Sequence, residues 1–387
     1  MNNEIKPLIV YFGNYDLISK NASGNRVLNF TTILAKKYRI VNIFYTKNKN
    51  IKKGKLLKHD DLEIITFDYP KNIFGWFKFP TLFKNIKNSL YNNNIPFNKI
   101  KFFIFYGSLF VSFQTLILLL VLKKYGIKIF YDVTEFDSSN KKNILFRFLR
   151  NVDYFLSEKI FPQFSDGIIV ISKRMFNYFR HKNKILIPPL TNFPKNNFFP
   201  LNDNIKLVFA GTLGELKTNK LNKDRIDIIL ELIKNFPKVQ LDIYGFTKSD
   251  FLDSFPNILI SDNVHFFGFI DHKSLINLLP LYDFSIIFRL PSDKNNFGFP
   301  TKFAESFSSR LPIISTLFSD IPEYLIDGFN GFFIPYELID ATKKIHYIFS
   351  LSREDLWNLK KNIPEESPFD LKSYASSLLD FFQKIHL

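Results

Sequence analysis

Residues 284–333, FSIIFRLPSDKNNFGFPTKFAESFSSRLPIISTLFSDIPEYLIDGFNGFF, indicate the fold of the chain. They contain two short apolar runs, at residues 284–288 and 311–315, which are typical of strands buried in a parallel sheet. Between the runs, a loop at residues 295–300 precedes a predicted helix at residues 301–309, with threonine at its capping position. A strand, a helix and a second strand make a βαβ unit, so the sequence predicts an α/β fold.

One end of this unit carries residues suited to a nucleotide. Ligands of βαβ units bind at the carboxyl ends of strands and the amino ends of helices, where free backbone N–H groups and the helix dipole favour phosphate. Arg289, Lys302 and Glu305 are predicted to lie there with the glycine-bearing loop. The cation suits the pyrophosphate of a sugar nucleotide, and the carboxylate can accept from ribose hydroxyls. An ordinary surface loop with solvated charges fits the same spacing.

The string PTKFAE, followed by PIIST and then IPEYLIDGFNGFF, resembles the donor-site region of retaining GT-B glycosyltransferases, especially family 4. That family has a Glu-x7-Glu pattern, whose second Glu binds ribose. Glu305 matches the second Glu through its distance to Pro312, and Phe297 stands in place of the first. The chain is similar to a polysaccharide-synthesis branch that has Arg, Asn and then Pro-x-Lys-x-x-Glu. The matching residues are Arg289, Asn295, Pro300, Lys302 and Glu305.

The resemblance implies two Rossmann-like domains that face a cleft, the GT-B arrangement. The length of 387 residues suits two domains. The acceptor domain is predicted at residues 1–190 and the donor-nucleotide domain at residues 205–368, with a Pro- and Asn-rich linker at residues 191–204 between them. The last helix, at residues 369–387, is expected to return to the first domain.

The start of the second domain supplies further donor-site candidates. A strand at residues 206–211 is followed by a loop and a helix from Lys223. Family members have a glycine turn, a cation and a helix amino end here to hold the pyrophosphate, and Gly211, Gly214 and Lys223 fit that arrangement. Lys217 and Lys220 compete for the role of Lys223, and all three can equally be solvated loop lysines.

A second cation must come from elsewhere in the chain. Many relatives have Arg directly after the first glycine, whereas this chain has Thr212. Arg289 is therefore assigned, with Lys223, to the leaving diphosphate. Glu305 is assigned to the ribose, and the backbone of residues 296–298 to the donor sugar. The donor-binding residues implied are Gly211, Gly214, Lys223, Arg289, Asn295, Asn296, Phe297, Gly298, Lys302 and Glu305.

The first domain carries the acceptor-side candidates. A strand at residues 8–12 ends at Gly13, and a loop at residues 14–25 precedes a helix at residues 26–37. The family has this loop between acceptor and donor, so Gly13, Ser23 and Gly24 are implied as site residues.

A later strand of the first domain, at residues 128–132, brings Asp132 and Glu135 to its carboxyl end. The string YDVTE resembles the acceptor-side motif of the same branch. Either carboxylate is therefore assigned to the acceptor hydroxyl, although both can also cap the helix that follows. The predicted catalytic residues are Asp132, Glu135, Arg289 and Lys223.

The charge is strongly asymmetric along the chain. Residues 1–200 hold 32 Lys and Arg against 12 Asp and Glu, a net charge of +20, whereas the remaining residues hold 20 against 24, a net charge of −4. Such asymmetry indicates an anionic partner, either a membrane surface or a nucleic acid. The basic, aromatic residues do not follow an RNP-like or helix-turn-helix pattern, so nucleic acid is not expected.

Residues 74–90 mix bulky aromatic residues with lysines at helical spacing, and such a stretch can lie in a bilayer interface. A core helix with a solvated lysine face has the same pattern. The apolar run at residues 108–122 is shorter than the roughly 20 residues needed to span a bilayer, so we expect a buried helix there. A signal peptide is not recognisable, and we expect a cytoplasmic protein, peripheral on the inner face of the membrane if the interface prediction holds.

The composition limits the chemistry. The chain has no Cys, which excludes disulfides, thiolate nucleophiles and Cys-based metal sites. The six His show no metal-ligand spacing, and no Asp-x-Asp string occurs, so neither a metal nor a cofactor is expected beyond the nucleoside diphosphate sugar as co-substrate.

The predicted function is a metal-independent, retaining glycosyltransferase of hexosyltransferase type. It would move a sugar from a nucleoside diphosphate to a hydroxyl of a glycan or a lipid-linked glycan. A sugar-nucleotide epimerase of the same fold, and a non-catalytic basic protein that binds nucleic acid or membrane, remain the alternatives.

Overall fold

The computed structural model describes residues 6–18, 21–46, 48, 50–68, 82–107, 112–136, 144–193, 204–213 and 223–386. The chain divides into two compact units, one formed by Met1–Pro188 with Leu371–Leu387 and the other by Pro189–Asp370. The predicted domain boundaries, at residues 190 and 369, lie beside these breaks. Residues 194–203 of the predicted linker lie outside the described residues.

The first unit is built on an eight-stranded sheet of short, largely buried apolar strands. Its strands are β1 (Leu8–Gly13), β2 (Arg39–Thr46), β3 (Leu56–His59), β4 (Leu62–Asp68), β5 (Ile100–Tyr106), β6 (Lys128–Val133), β7 (Gly167–Val170) and β8 (Lys184–Leu186). Their order is β3-β4-β2-β1-β5-β6-β7-β8, and all neighbours are parallel except β3 and β4. The strand order reverses between β1 and β5, as in doubly wound nucleotide-binding sheets.

The β3–β4 hairpin is an element that the sequence analysis missed. Both strands are only partly buried, so they lack the continuous apolar run of the other strands. The turn is Asp60–Asp61, and both residues have positive φ, 47° and 63°. Two positive φ values are typical of the tight hairpin turn that matches strand twist. The two consecutive aspartates were therefore the available signal.

The first helix begins earlier than predicted. The helices of the first unit are α1 (Ala22–Leu34), α2 (Leu82–Asn92), α3 (Ser112–Lys124), α4 (Ile144–Phe155), α5 (Phe161–Phe164) and α6 (Lys173–Tyr178). The side chain of Asn21 accepts a hydrogen bond from the backbone N–H of Gly24 at 2.8 Å, so Asn21 caps α1. Ser23 and Gly24 therefore lie in the first turn of a helix, and the predicted loop to residue 25 was wrong.

Helix α2 has the amphipathic character of a helix packed on a sheet, whereas α3, predicted to be buried, leaves Ile117 and Leu120 exposed. Ile86 and Leu90 of α2 are fully buried, whereas Lys84 and Lys87 are exposed. Helix α3 has 13 residues. Across the ranges that the structure describes, no helix is both long and apolar enough to cross a membrane.

The second unit contains a six-stranded parallel sheet. Its strands are β9 (Lys206–Ala210), β10 (Gln240–Tyr244), β11 (Val264–Gly268), β12 (Phe284–Ile287), β13 (Ile313–Ser315) and β14 (Gly331–Phe333). The order is β11-β10-β9-β12-β13-β14, with a reversal between β9 and β12. This is the Rossmann order, which places a ligand-binding crevice at the carboxyl ends of β9 and β12.

Helices cover the second sheet, and two of them begin or end at other residues than the sequence predicts. They are α7 (Ile226–Ile233), α8 (Lys248–Ser254), α9 (His272–Leu278), α10 (Asp293–Phe297), α11 (Thr301–Ser308), α12 (Leu338–Phe349) and α13 (Arg353–Lys361). Helix α7 begins three residues after Lys223, the predicted start of this helix. The predicted loop at residues 295–300 is partly helical, since α10 extends to Phe297. Pro300, not Thr301, occupies the capping position of α11, without a side-chain cap.

The last helix, α14 (Leu371–His386), packs in the first unit. The ring of Phe382 stacks on Phe130 of β6 at 4.1 Å between centroids and meets Phe102 of β5 edge-on at 5.4 Å. Aromatic packing of this kind adds about 0.5–1.5 kcal/mol for each pair beyond its buried area. The helix is therefore fixed to the first unit by contacts with the middle of its sheet.

Candidate functional site

The candidate donor site lies in the second unit, at the reversal between β9 and β12. Gly211 directly follows β9, and Arg289 lies two residues after β12. Lys302 and Glu305 are on α11, in its first and second turns. The topology thus brings together four residues that the sequence analysis had assigned to the donor, although they come from segments far apart in the chain.

A buried carboxylate, Asp224, joins the two cations of this site. Its Oδ1 accepts a hydrogen bond from Arg289 Nε at 2.5 Å, and its Oδ2 accepts from Lys302 Nζ at 2.9 Å and from Arg289 Nη2 at 3.3 Å. The three side chains are only 8–12% exposed. Two cations share one anion, so the cluster carries a net positive charge in a place largely shielded from water.

Aromatic rings and a glycine shape the space around the cations. Lys302 Nζ lies 4.0 Å from the centre of the Phe209 ring, and the Arg289 guanidinium lies 5.3 Å from that of Phe318. Such contacts attract cations to the ring faces. A Cβ atom on Gly211 would lie 2.6 Å from Lys302 Nζ, so glycine leaves the room that the ammonium occupies.

The cluster changes the proton affinities of its members. Burial alone would raise the pKa of Asp224, but the neighbouring Arg289 and Lys302 outweigh it, and the pKa of this carboxyl is well below its usual value. Burial lowers the pKa of Lys302, and Asp224 opposes that change. Asp224 is therefore ionised at neutral pH, and its charge favours the protonated form of Lys302.

Backbone hydrogen bonds hold Arg289 in place. Its N–H donates to Thr316 Oγ1 at 3.0 Å, and the Thr316 hydroxyl donates to the Arg289 carbonyl at 2.8 Å. The N–H of Arg225, beside Asp224, donates to the Phe288 carbonyl at 2.8 Å. The two sides of the ion-pair cluster are thus fixed to each other through the end of β12.

Glu305 is held by His272, a residue that the sequence analysis did not single out. The distance from His272 Nε2 to Glu305 Oε1 is 2.8 Å, and Glu305 is largely buried. His272 is the first residue of α9, with Asp271 as the helix cap. A histidine on one oxygen fixes the orientation of the carboxylate, which can then present its other oxygen to a ligand.

The segment between β12 and α11 is fixed by the side chains of two predicted donor residues. Asn295 donates from Nδ2 to the Leu290 carbonyl at 2.8 Å, and Asn296 Oδ1 accepts from the Ser319 N–H at 3.2 Å. The Ser319 hydroxyl donates to the Gly298 carbonyl. These amides therefore shape the segment, while Phe297, beside them, is half-buried.

The structure pairs Arg289 with Lys302, whereas the sequence analysis had paired it with Lys223. Lys223 is exposed and directly precedes Asp224. Gly214 lies outside the described residues, as do Lys217 and Lys220. Within the described ranges, no three His, Asp or Glu side chains are grouped so that they could hold a metal ion.

In the first unit, Asp132 is engaged inside the protein. It is fully buried, its Oδ1 accepts from Arg26 Nη2 at 2.8 Å, and its Oδ2 accepts from the Tyr11 hydroxyl at 2.6 Å. Arg26 also donates to the Ile187 carbonyl at 3.0 Å. The carboxylate does not face solvent, so an acceptor hydroxyl would have to replace Arg26 or Tyr11 as its partner. Glu135, the other candidate, is exposed.

The two predicted acceptor-side glycines lie at close backbone approaches. A Cβ atom on Gly13 would lie 2.6 Å from the Cβ of Tyr106, at the adjoining ends of β1 and β5. A Cβ atom on Gly24 would lie 2.1 Å from the Asp16 carbonyl oxygen. Both glycines therefore have a packing reason to be present, whatever they contact in a complex.

The chain resembles known glycosyltransferases in one family comparison and in many solved structures. The family model named glycosyl transferases group 1 matches residues 196–365. A comparison with curated protein sequences gave no match. Sucrose-phosphate synthase from Thermosynechococcus elongatus is 14% identical with a TM-score of 0.71, over 98% of this chain and 99% of that chain.

Two further solved structures are similar over nearly the whole chain. HepE from Anabaena, in complex with UDP and glucose, is 13% identical with a TM-score of 0.67, over 97% of this chain and 99% of that chain. A glycosyltransferase from Rickettsia africae is 14% identical with a TM-score of 0.65, over 98% of both chains. The shared fold confirms the predicted α/β class with two Rossmann-like units. The chain therefore carries a match to a group 1 glycosyl transferase domain at residues 196–365, and as a whole it shares the GT-B fold of these solved structures.

Proposed function

We propose that the chain transfers a sugar from a nucleoside diphosphate sugar to a hydroxyl of a glycan or lipid-linked glycan, with retention of configuration and without a metal ion. The donor part of this proposal rests on the buried cation pair, Arg289 and Lys302, at the point where the strand order of the second sheet reverses. A diphosphate placed there would meet concentrated positive charge and the amino end of α11. Polysaccharide biosynthesis is the setting that the sequence resemblance favours.

In this proposal each donor group has its own partner. Arg289 and Lys302 bind the diphosphate, and Lys223, directly before Asp224 in the chain, is a further cation assigned to it. Glu305, oriented by His272, accepts from the ribose hydroxyls. The backbone of residues 296–298 faces the donor sugar, where Phe297 supplies no carboxylate. The similar HepE structure contains UDP and glucose, which makes UDP-sugars the first donors to test.

The cation pair also supplies the leaving-group chemistry. As the glycosidic bond to the diphosphate breaks, negative charge grows on the departing oxygen. Fixed positive groups in a site shielded from water stabilise such charge more strongly in the transition state than in the ground state. A pair of side-chain cations can therefore take the part that a divalent ion takes in other transferases.

The acceptor is assigned to the first unit. Since Asp132 is engaged with Arg26, Glu135 is the carboxylate that we propose on the acceptor side. Gly13 ends the strand at the reversal of the first sheet, where ligands of such sheets bind. Ser23 and Gly24 belong to the first turn of α1, whose amino end follows that strand.

The role of Glu305 can be tested by replacing it with alanine. Loss of a hydrogen bond to a charged group costs roughly 1.5–3 kcal/mol, so Glu305→Ala should weaken donor binding by about ten- to a hundredfold. The measurement is the dissociation constant of the nucleotide sugar that most raises the melting temperature of the wild type in a screen of nucleotide sugars.

A matched control for Glu305 is Glu231, a carboxylate on α7 that pairs with the exposed Lys234. Glu231→Ala should leave donor affinity unchanged. Equal donor affinity in Glu305→Ala and the wild type would remove the ribose assignment. Failure of every nucleotide sugar to stabilise the wild type would contradict the proposed function itself.

We also propose that the first unit docks on an anionic membrane surface, which would supply a lipid-linked acceptor. Support comes from the net charge of +20 in residues 1–200 and from the exposed Lys84 and Lys87 of α2. Trp76 and Phe77, the proposed inserting residues, lie outside the described residues. Lysine contacts alone are screened within about 8 Å at physiological salt, so lasting attachment requires aromatic insertion.

Co-sedimentation with liposomes tests the membrane proposal. The wild type should pellet with anionic vesicles more than with neutral ones, and the Trp76→Ala, Phe77→Ala double variant should lose more binding at high salt than at low salt. Phe269→Ala, at a 79% exposed aromatic residue of the second unit, is the control and should bind as the wild type does. Equal pelleting with both kinds of vesicle, or no pelleting with either, would contradict membrane docking and make a soluble acceptor the better proposal.

A further inference from the structure

Asp224 is the acidic member of the donor site, and neither the family resemblance nor the proposed reaction assigns it a role. It lies two residues before α7, yet its contacts are with Arg289 and Lys302, on other segments of the second unit. A carboxylate between two cations weakens the attraction of the site for a diphosphate. Its presence at 10% exposure therefore requires a reason.

The charge state of Lys302 provides that reason. Its ammonium is largely buried and lies near the Arg289 guanidinium, which stays charged at any pH that proteins tolerate. Burial and a like charge both favour loss of the lysine proton. The groups that oppose this loss are Asp224, in direct contact, and Glu305, on the same helix and bound to His272 from α9.

The geometry also leaves capacity for a ligand. Asp224 accepts hydrogen bonds from Arg289 Nε and Nη2 and from Lys302 Nζ. A guanidinium and an ammonium together carry more N–H donors than these three contacts use. The carboxylate can thus hold both cations in one orientation while a diphosphate binds the same two groups from another side.

We infer that Asp224 is a positioning residue for the donor diphosphate: it keeps Lys302 protonated and holds its ammonium beside the Arg289 guanidinium before the donor arrives. The inference rests on the proposed binding of a nucleoside diphosphate at this pair. A site whose charges are already in place does not have to order side chains or take up a proton when the ligand binds. The weaker net charge is offset by this preorganisation.

The inference gives a pH dependence with a definite sign. Without the Asp224 charge, the Lys302 ammonium loses its proton at a lower pH than in the wild type. The affinity for a diphosphate then falls as the pH rises, and binding above that pH takes up a proton. In Asp224→Asn the affinity should therefore begin to fall at a pH that is at least about one unit lower than in the wild type. One unit corresponds to a tenfold difference in the proton equilibrium of Lys302.

Isothermal titration calorimetry of the full chain with UDP, GDP and ADP, between about pH 6 and pH 9, tests this. Proton uptake is read from the change in binding enthalpy between buffers of different ionisation enthalpy. The terminal phosphate of the nucleotide titrates too, so each variant is compared with the wild type at the same pH. On binding above neutral pH, Asp224→Asn should take up more protons than the wild type does. Asp224→Glu, which keeps the charge, should restore the wild-type profile.

Two further variants separate the charge effect from a merely structural one. In the Asp224→Asn background, Lys302→Arg introduces a cation that does not lose its proton, so the pH dependence should disappear. Asp227→Asn, next to the cluster in sequence but paired with Arg225, should behave as the wild type. A profile of Asp224→Asn identical to that of the wild type would overturn the inference. A wild type that binds none of the three nucleotides would overturn the proposed function.

Discussion

Replacing Arg289 with alanine should slow sugar transfer by about a hundred- to a thousandfold in kcat, the usual effect of removing one preorganised group that stabilises transition-state charge. The guanidinium is 8% exposed and fixed by Asp224 and by the backbone contacts of Arg289 with Thr316. Because the charge on the departing diphosphate grows during bond breaking, the loss should fall on turnover more than on donor binding.

Steady-state kinetics on Arg289→Ala and Arg289→Lys measure this effect. Lysine keeps the charge but cannot reproduce the two-point contact of a guanidinium, so it should recover only part of the rate. Arg39→Ala, at an exposed arginine paired with Glu63 in the first unit, is the matched control and should retain wild-type turnover. Turnover that survives Arg289→Ala would make Arg289 a structural residue only.

The elements around this site were predictable because their signals are local. The predicted strand at residues 284–288, helix at 301–309 and strand at 311–315 correspond to β12, α11 and β13 within two residues at each end. Continuous apolar runs mark buried parallel strands, and helical spacing marks the crossover helix. The chain order of the elements then fixes where their ends meet, which is why Arg289 and Glu305 could be placed at one site.

The partners of those residues were not predictable, because nothing in the local sequence encodes them. Asp224 and Lys302 are 78 positions apart, and Arg26 and Asp132 are 106 apart. An ion pair over such a distance leaves no periodic pattern, and a single sequence shows only the residue types. The prediction that Lys223 accompanies Arg289 came from the family resemblance and stays a prediction. The fold brings Lys302 of α11 to the same carboxylate as Arg289, which the sequence did not indicate.

Local chemistry was also misread at one helix start and at one helix end. Asn21 caps α1, so the helix begins four residues before the predicted position. The loop prediction at residues 295–300 relied on asparagine and glycine, yet α10 extends to Phe297. In both places asparagine, a residue favoured in loops and at caps alike, was read as a loop signal alone.

The first unit should depend strongly on the buried pair of Arg26 and Asp132. The side chains of the two residues are 4% and 0% exposed, and removing one partner leaves the other as an uncompensated buried charge. Arg26→Met should therefore lower the free energy of unfolding of this unit by about 3–5 kcal/mol. Because the chain has two units, the measurement is hydrogen exchange of the amides of β1 and β6, which reports on the first unit by itself.

The exposed pair of Arg39 and Glu63 is the matched control, since it has the same two-point contact at 44% and 21% exposure. Arg39→Met should cost no more than about 1 kcal/mol. The double variant Arg26→Met, Asp132→Asn removes both charges and should be more stable than the sum of the two single losses implies. If Asp132→Asn leaves stability unchanged and strongly reduces turnover, the structural role is contradicted. The assignment of Asp132 to the acceptor hydroxyl would then be favoured again. Reduced stability, with the turnover of the folded fraction retained, would assign Asp132 to the fold of the first unit.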